Sequence, residues 1–94
     1  MPQETTPFDV QDHLGTPAEQ AAYIDAALAT EDASFIALAL GDIARARGVT
    51  NFVRETGISR ETIYKSFKAG GNPTLATLEK ATKALGLRLS VVPA

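Results

Sequence analysis

Polar and charged side chains follow Gly57 with a spacing that could place them against DNA. The segment from Val53 to Phe67 reads VRETGISRETIYKSF, with the small residue Val53 four positions before Gly57 and Ile63 six positions after it. Ser59 lies between them and can cap a second short helix. This spacing is typical of two helices joined by a turn, the second of which lies in the major groove. The predicted chemistry is therefore recognition of bases and phosphates.

The candidate contacts lie mainly near the amino end of the second helix, because that end points toward the bases. Arg60 could hydrogen-bond to guanine or to a phosphate, and Glu61 could accept a hydrogen bond from cytosine. Lys65 suits phosphates, to which a lysine binds without sequence preference. The starts of other helices offer further polar groups and backbone N–H donors to phosphates. The candidate DNA-binding residues are Ser59, Arg60, Glu61, Thr62, Tyr64, Lys65, Lys68, Asn51, Asn72 and Thr74.

Less specific interpretations of the same residues remain open. Ser59 would cap its helix whether or not it contacts a base. Lys65 and Lys68 could be ordinary exposed charges, and Tyr64 could be half-buried in the core. For the motif as a whole, a structural pair of helices without any ligand is the main alternative.

Catalytic chemistry finds little support in the composition. The chain has no cysteine, which excludes a disulfide framework, a thiolate metal site and a cysteine nucleophile. Its single histidine, His13, follows Asp9 and Asp12, but the sequence shows no fourth metal ligand beside them. Ser59 has no histidine base within reach in the sequence. We therefore expect a protein that is not an enzyme, with no metal, no other cofactor and no catalytic residues.

Charge is divided unevenly along the 94 residues. The net charge is only −2 and the isoelectric point is about 5.2, which alone would argue against nucleic acid. Residues 1–47, however, carry eight acidic and two basic side chains, and residues 48–94 carry three acidic and seven basic ones. The second half, at +4, could approach phosphates, and the first half, at −6, suits a basic partner. The alternative is that both halves are ordinary solvated surfaces.

Helix caps and apolar periodicity predict an all-α fold with five to six helices. Gly41 falls in the middle of the second helix, where glycine costs stability, and we expect it to allow close packing against a neighbouring helix. The predicted helices are Pro17 to about Ala29 after a capping box at 16–19, Ala33 to Ala46 after Asp32, Thr50 to Glu55, Arg60 to about Lys68 after Ser59, and Leu75 to Leu85 after Thr74. In the last of these helices, the residues expected to face the core are Leu75, Leu78, Leu85 and either Ala81 or Thr82.

The carboxyl-terminal tail alternates like a β-strand from Leu87 to Pro93. A strand needs a neighbour for its backbone groups, and this one could pair with Phe8–Val10, with a second copy of the chain or with another protein. We expect a flexible N-terminus at 1–7 and a single domain at 8–94, with the two-helix motif at about 49–68, a closing helix at 74–86 and the strand at 87–92. No signal peptide or membrane span is visible, so we expect a cytoplasmic protein.

Two stretches resemble known families. VTNFVRETGISRETIYKSFKAGGNPTLATLEKATKALGL is similar to the phage-repressor-like (lambda-repressor-like, Xre/Cro-type) helix-turn-helix family. In that family a small residue, a glycine, a capped recognition helix, an asparagine-proline loop and a leucine-rich closing helix come in this order. ALGDIARARGVTNFVRETGISRETIYK, together with the closing ALGLRLSVVPA, resembles the HigA-like antidote proteins, or antitoxins, of addiction modules. The resemblance covers about residues 8–94.

The resemblance implies an antitoxin of a type II toxin–antitoxin module. Such a protein neutralises a small basic toxin of the RelE or ParE fold and represses its own operon as a dimer on operator DNA. On the matching positions, Ser59, Arg60, Glu61, Thr62, Tyr64 and Lys65 would read the operator.

The toxin-binding and dimer surfaces carry no sequence motif, so we assign them as hypotheses. Toxin contact is assigned to acidic residues of the first half: Asp9, Asp12, Glu19 and Asp25. The dimer interface is assigned to the apolar residues of the tail: Leu87, Leu89 and Val91. Two alternatives stay open, namely a solitary helix-turn-helix repressor without a toxin, and a protein-interaction module that does not bind DNA.

Overall fold

Five α-helices form the regular structure of residues 14–94, the part of the chain that the computed structural model describes. They are α1 (Pro17–Ala29), α2 (Ala33–Arg47), α3 (Val49–Thr56), α4 (Arg60–Ser66) and α5 (Leu75–Ala84). The predicted all-α helical bundle is confirmed, and each helix begins and ends within two residues of its predicted boundary. A sixth helix does not occur between residues 14 and 94.

Side-chain caps fix where the helices begin. Thr16 accepts a hydrogen bond from the Glu19 N–H at 3.1 Å, and a Glu19 carboxylate oxygen accepts from the Thr16 N–H at 3.1 Å, which completes the predicted capping box. Asp32 accepts from two backbone N–H groups at the start of α2. Thr74 caps α5 in the same way. These bonds span only two or three residues, so the sequence specifies them locally.

Helix α2 lies at the centre of the bundle and contacts α1, α3 and α4. Its side chains Leu40 and Ile43 are fully buried and join Phe52 of α3 and Phe67, which follows α4, in one apolar core. The two phenyl rings meet edge to face, with their centroids 6.2 Å apart. The core therefore holds α3 and α4 against a single central helix.

Gly41 lies where α2 crosses the end of α4, and the predicted close packing is confirmed. A Cβ atom at this position would lie only 2.1 Å from the backbone carbonyl oxygen of Phe67. No side chain fits there unless the backbone moves.

Two expectations are corrected by the structure. No β-strand occurs in residues 14–94, including 87–92, because no segment among these residues offers the tail a neighbouring strand edge. Phe8–Val10 lies outside the described residues. Leu75, which we expected to face the core, is 67% exposed, since it is the first residue of α5 and directly follows the cap.

Candidate nucleic-acid interface

The α3–α4 unit, residues 49–66, consists of two short helices joined by a tightly held turn. Gly57 has φ +76°, a left-handed conformation that glycine adopts without a Cβ clash, and its N–H donates to the Val53 carbonyl at 2.9 Å. The Thr56 hydroxyl donates to the Phe52 carbonyl at 2.7 Å and accepts from the Ile58 N–H at 3.0 Å. The turn is therefore held by its own hydrogen bonds.

Ile58 anchors this turn to the core, and its burial was not predicted from the sequence. It is 4% exposed and belongs to the same core cluster as Phe52 and Ile63. A single apolar residue in a short connection has no periodicity that would reveal its burial. Its burial orients the start of α4 relative to the core.

Helix α4 buries one side and exposes the other. Ile63 is buried toward the core, and Ser59 caps the helix by accepting from the Thr62 N–H at 3.1 Å. Arg60, Glu61 and Lys65 are exposed, Thr62 is half-buried, and Tyr64 is 58% exposed rather than half in the core. The residues predicted to recognise bases thus share the solvent-facing side of the helix, apart from Thr62, whose hydroxyl also accepts from Ser59.

A hydrogen bond joins the amino-terminal residues of the two helices. Arg60 donates from Nη2 to the Thr50 hydroxyl at 2.8 Å. Asn51 accepts from Arg54 and donates to the Arg47 carbonyl at 3.2 Å, so its amide is already engaged. Thr50 was not among the predicted residues, because the sequence contains no signal for a contact between side chains ten positions apart.

The remaining DNA candidates lie beyond α4. Lys68 and Asn72 are exposed in the loop between α4 and α5. Thr74 is exposed and accepts from the Thr77 N–H at 3.1 Å. Within residues 14–94, no hydrogen bond connects these three to Arg60 or Thr62. They are therefore exposed polar residues between the end of α4 and the start of α5, separate from the contacts around Arg60.

The acidic and apolar candidates that the structure describes lie outside the α3–α4 unit. Glu19 is exposed but already serves in the capping box, and Asp25 is exposed on α1. Asp9 and Asp12 fall outside the described residues. In the tail, Leu87 and Leu89 are half-buried, whereas Val91 is 95% exposed.

A polar network fixes α3 to the first two helices. Arg47 donates from Nε to the amide oxygen of Gln20 at 2.7 Å and from Nη1 to the Glu55 carboxylate at 2.8 Å. Gln20, which is 5% exposed, donates to the Leu14 carbonyl at 2.9 Å. As a cation in the last turn of α2, Arg47 also suits the negative end of the helix dipole. The network holds the α3–α4 unit in a fixed orientation on the bundle.

Tyr23 illustrates the environment between α1 and α2, away from the α3–α4 unit. Its hydroxyl donates to Asp42 at 2.8 Å, and burial together with this hydrogen bond raises the pKa of Tyr23 to about 12. The phenol therefore stays protonated at neutral pH and serves packing rather than proton transfer.

Neither a metal centre nor a membrane span is found in the part of the chain that the structure describes. No three His, Cys, Asp or Glu side chains come together there in a way that could hold a metal ion. No helix in those residues has the length and apolarity needed to cross a bilayer.

Comparison with known proteins identifies a family. Residues 4–93 match the family described as "Probable addiction module antidote protein". An uncharacterized protein of Haemophilus influenzae is 43% identical over 91 residues, which cover 97% of this chain and 94% of that protein. No solved structure was found to match the chain.

Proposed function

The chain belongs to this family of probable addiction module antidote proteins, and from that premise we propose that it is a DNA-binding antitoxin. It neutralises a small basic toxin of the RelE or ParE type and represses its own operon in the cytoplasm. It has no enzymatic activity of its own. Membership of an antidote family supports the toxin partner in general, and the α3–α4 unit supports the DNA partner.

The observation that carries the DNA proposal is the exposed side of α4. A helix that reads the major groove must be buried on one side and must present donors and acceptors near its amino end on the other. Ile63 supplies the buried side, and Arg60, Glu61 and Lys65 supply the exposed one. Arg60 keeps guanidinium donors for a base or phosphate, because the hydrogen bond to Thr50 uses only Nη2.

Specific binding requires two copies of the α3–α4 unit. One short helix contacts too little DNA for tight binding, and proteins of this kind bind two half-sites about one helical turn apart. We therefore propose a homodimer on a two-fold operator.

DNA binding is tested directly with the purified chain. We expect a gel shift on the DNA directly upstream of its own gene, and at least about a thousandfold weaker binding to a scrambled duplex of the same length and composition. No shift at low salt would leave a protein-interaction module as the better description, and equal binding to both duplexes would reject operator recognition in favour of attraction to phosphates alone. A specific shift without any toxin partner would favour the solitary repressor.

Toxin binding is proposed to use the acidic first half of the chain. Opposite charges mainly accelerate encounter between partners and fix their orientation. The amides Asp9→Asn, Asp12→Asn, Glu19→Gln and Asp25→Asn remove four charges, and glutamine still completes the capping box at residue 19. The expected result is an association rate lowered about tenfold or more at low salt, with a weaker salt dependence.

The measurement is stopped-flow binding to the small basic protein encoded beside this chain's gene. The matched control is Glu61→Gln with Glu79→Gln, which removes acidic charges from the second half of the chain and should leave the rate nearly unchanged. An unchanged rate in the fourfold variant would reject the acidic surface while leaving DNA binding untouched.

A further inference from the structure

The carboxyl-terminal tail, residues 87–94, is a mostly apolar segment whose backbone, from Arg88 onward, has no hydrogen-bond partner among residues 14–94. We propose that it pairs with the tail of a second copy as two antiparallel strands, with Leu89 opposite Leu89 across a two-fold axis. This deepens the proposed dimer by assigning its interface, and it rests on that part of the proposed function.

The tail begins directly after α5 ends. Gly86, at φ +76°, ends the helix, and the Leu87 N–H donates to the Thr82 carbonyl at 3.0 Å. From Arg88 onward, no hydrogen bond joins the tail backbone to any residue between 14 and 94. Val91 is 95% exposed and Val92 76% exposed. Apolar side chains beside unpaired backbone groups form an edge that another strand can join.

Two grooves border the tail and could receive the side chains of a second copy. One, of about 380 Å³, lies between the tail and α1 and has Ala21, Ile24 and Leu28 in its lining. The other, of about 650 Å³, lies along α5. Each copy carries both the exposed valines and the α1 groove. Two copies related by a two-fold axis can therefore each place these valines in the groove of the other.

Charge around the grooves also suits a second copy. Asp25 and the chain's own Arg88 both line the α1 groove. The α5 groove is lined by the exposed side chains of Glu79, Lys80, Lys83 and the same Arg88. A small basic toxin would meet the three cations as like charges, whereas a second copy brings two carboxylates, Asp25 and Glu79, together with its own three cations.

The sequence of the tail selects the register. Side chains alternate between the two faces of a strand, so Leu87, Leu89 and Val91 share one face. Placing Leu89 opposite itself sets Leu87 against Val91 and keeps this face entirely apolar.

The neighbouring symmetric registers are less favourable. Centring the pair on Arg88 would set two guanidinium groups directly opposite each other. Centring it on Ser90 would set Leu87 opposite Pro93, which lacks an N–H.

Cysteine cross-linking tests the register, since the chain contains no cysteine. Directly opposite residues have Cα atoms about 4.5–5.5 Å apart, within disulfide range. Leu89→Cys should therefore form a covalent dimer under mild oxidation, seen on a non-reducing gel. Ser90→Cys is the matched control, because residue 90 would lie opposite residue 88 of the second copy, two positions away from that copy's residue 90. It should cross-link at least about tenfold more slowly.

Sedimentation without DNA tests the interface independently of operator binding. We expect the unmodified chain to dimerise in the micromolar range, since a two-stranded ribbon with few packed side chains is weakly stable. Leu89→Asp should raise the dissociation constant at least about tenfold, with an unchanged helical circular dichroism spectrum. A monomer at high micromolar concentration, or faster cross-linking at residue 90, would overturn the proposal. So would a tail protected from proteolysis only after the toxin is added.

Discussion

Replacing Gly41 with alanine is expected to lower the free energy of unfolding by about 1–3 kcal/mol, although alanine is the better helix former. The added Cβ atom would lie 2.1 Å from the carbonyl oxygen of Phe67 and 3.1 Å from its carbonyl carbon. Both are backbone atoms, so the clash cannot be relieved by a side-chain rotation. Phe67, which follows α4, must move instead. The end of α4, the helix that carries the candidate DNA contacts, must move with it. Urea unfolding followed by circular dichroism measures the loss.

Gly15 provides the matched control for this substitution. A Cβ atom there would meet its nearest neighbour, a Glu19 carboxylate oxygen, at 3.7 Å, which is an ordinary contact. Gly15→Ala should therefore change stability by less than about 0.5 kcal/mol. If the two variants unfolded at the same urea concentration, the tight crossing of α2 and α4 would be contradicted.

Local rules made much of this fold predictable from the sequence. Ser59 caps α4 through a bond to a residue three positions away, and Gly57 ends α3 in a conformation that its own backbone permits. Gly41 was also predictable in kind, because a mid-helix glycine usually needs a reason such as close packing. The caps depend on neighbours in the chain, which the sequence displays, whereas for Gly41 the sequence indicates a close contact but not Phe67 as the partner.

Features that depend on distant residues could not be predicted in the same way. Gln20 is a polar residue of α1 with no local sign of burial, yet it is buried and accepts a hydrogen bond from Arg47, 27 positions away. The Arg60–Thr50 bond likewise exists only once α3 and α4 are packed together. The prediction of a β-strand in the tail was wrong for a related reason. Its alternation is a true strand pattern, but the pattern cannot become a strand without an edge that residues 14–94 do not provide.

The Arg60–Thr50 bond bears on how the candidate interface would work. A free arginine side chain must lose conformational freedom when it binds a base, and that loss weakens binding. Thr50 already holds one guanidinium nitrogen at 2.8 Å and so restrains the side chain before DNA arrives. Arg60 should therefore account for most of the preference for particular bases. Lys65, a flexible point charge, should contribute similarly to binding on any DNA sequence.

Removing both Arg60 and Lys65 as alanines is expected to abolish the gel shift on the operator. Each lost contact costs about 1–3 kcal/mol in each half-site, so the dimer loses at least about a thousandfold in affinity. Lys65→Ala alone should weaken operator and scrambled DNA alike and make the salt dependence shallower by about one ion per copy. Circular dichroism checks that the helices are retained, since both side chains are exposed.

Arg60→Lys is the control that separates base recognition from simple attraction to phosphate. Lysine keeps the positive charge but lacks the planar fork that pairs with guanine, so nonspecific binding and its salt dependence should stay as they were. Preference for the operator over scrambled DNA should fall by about thirtyfold or more, because one bidentate contact of about 1–3 kcal/mol is lost in each of the two half-sites. A lysine variant with undiminished preference would show that Arg60 contacts only the backbone, and the reading of bases would then have to be assigned to Thr62 or Glu61. An alanine double variant that still shifted the operator with full affinity would remove α4 from the interface altogether.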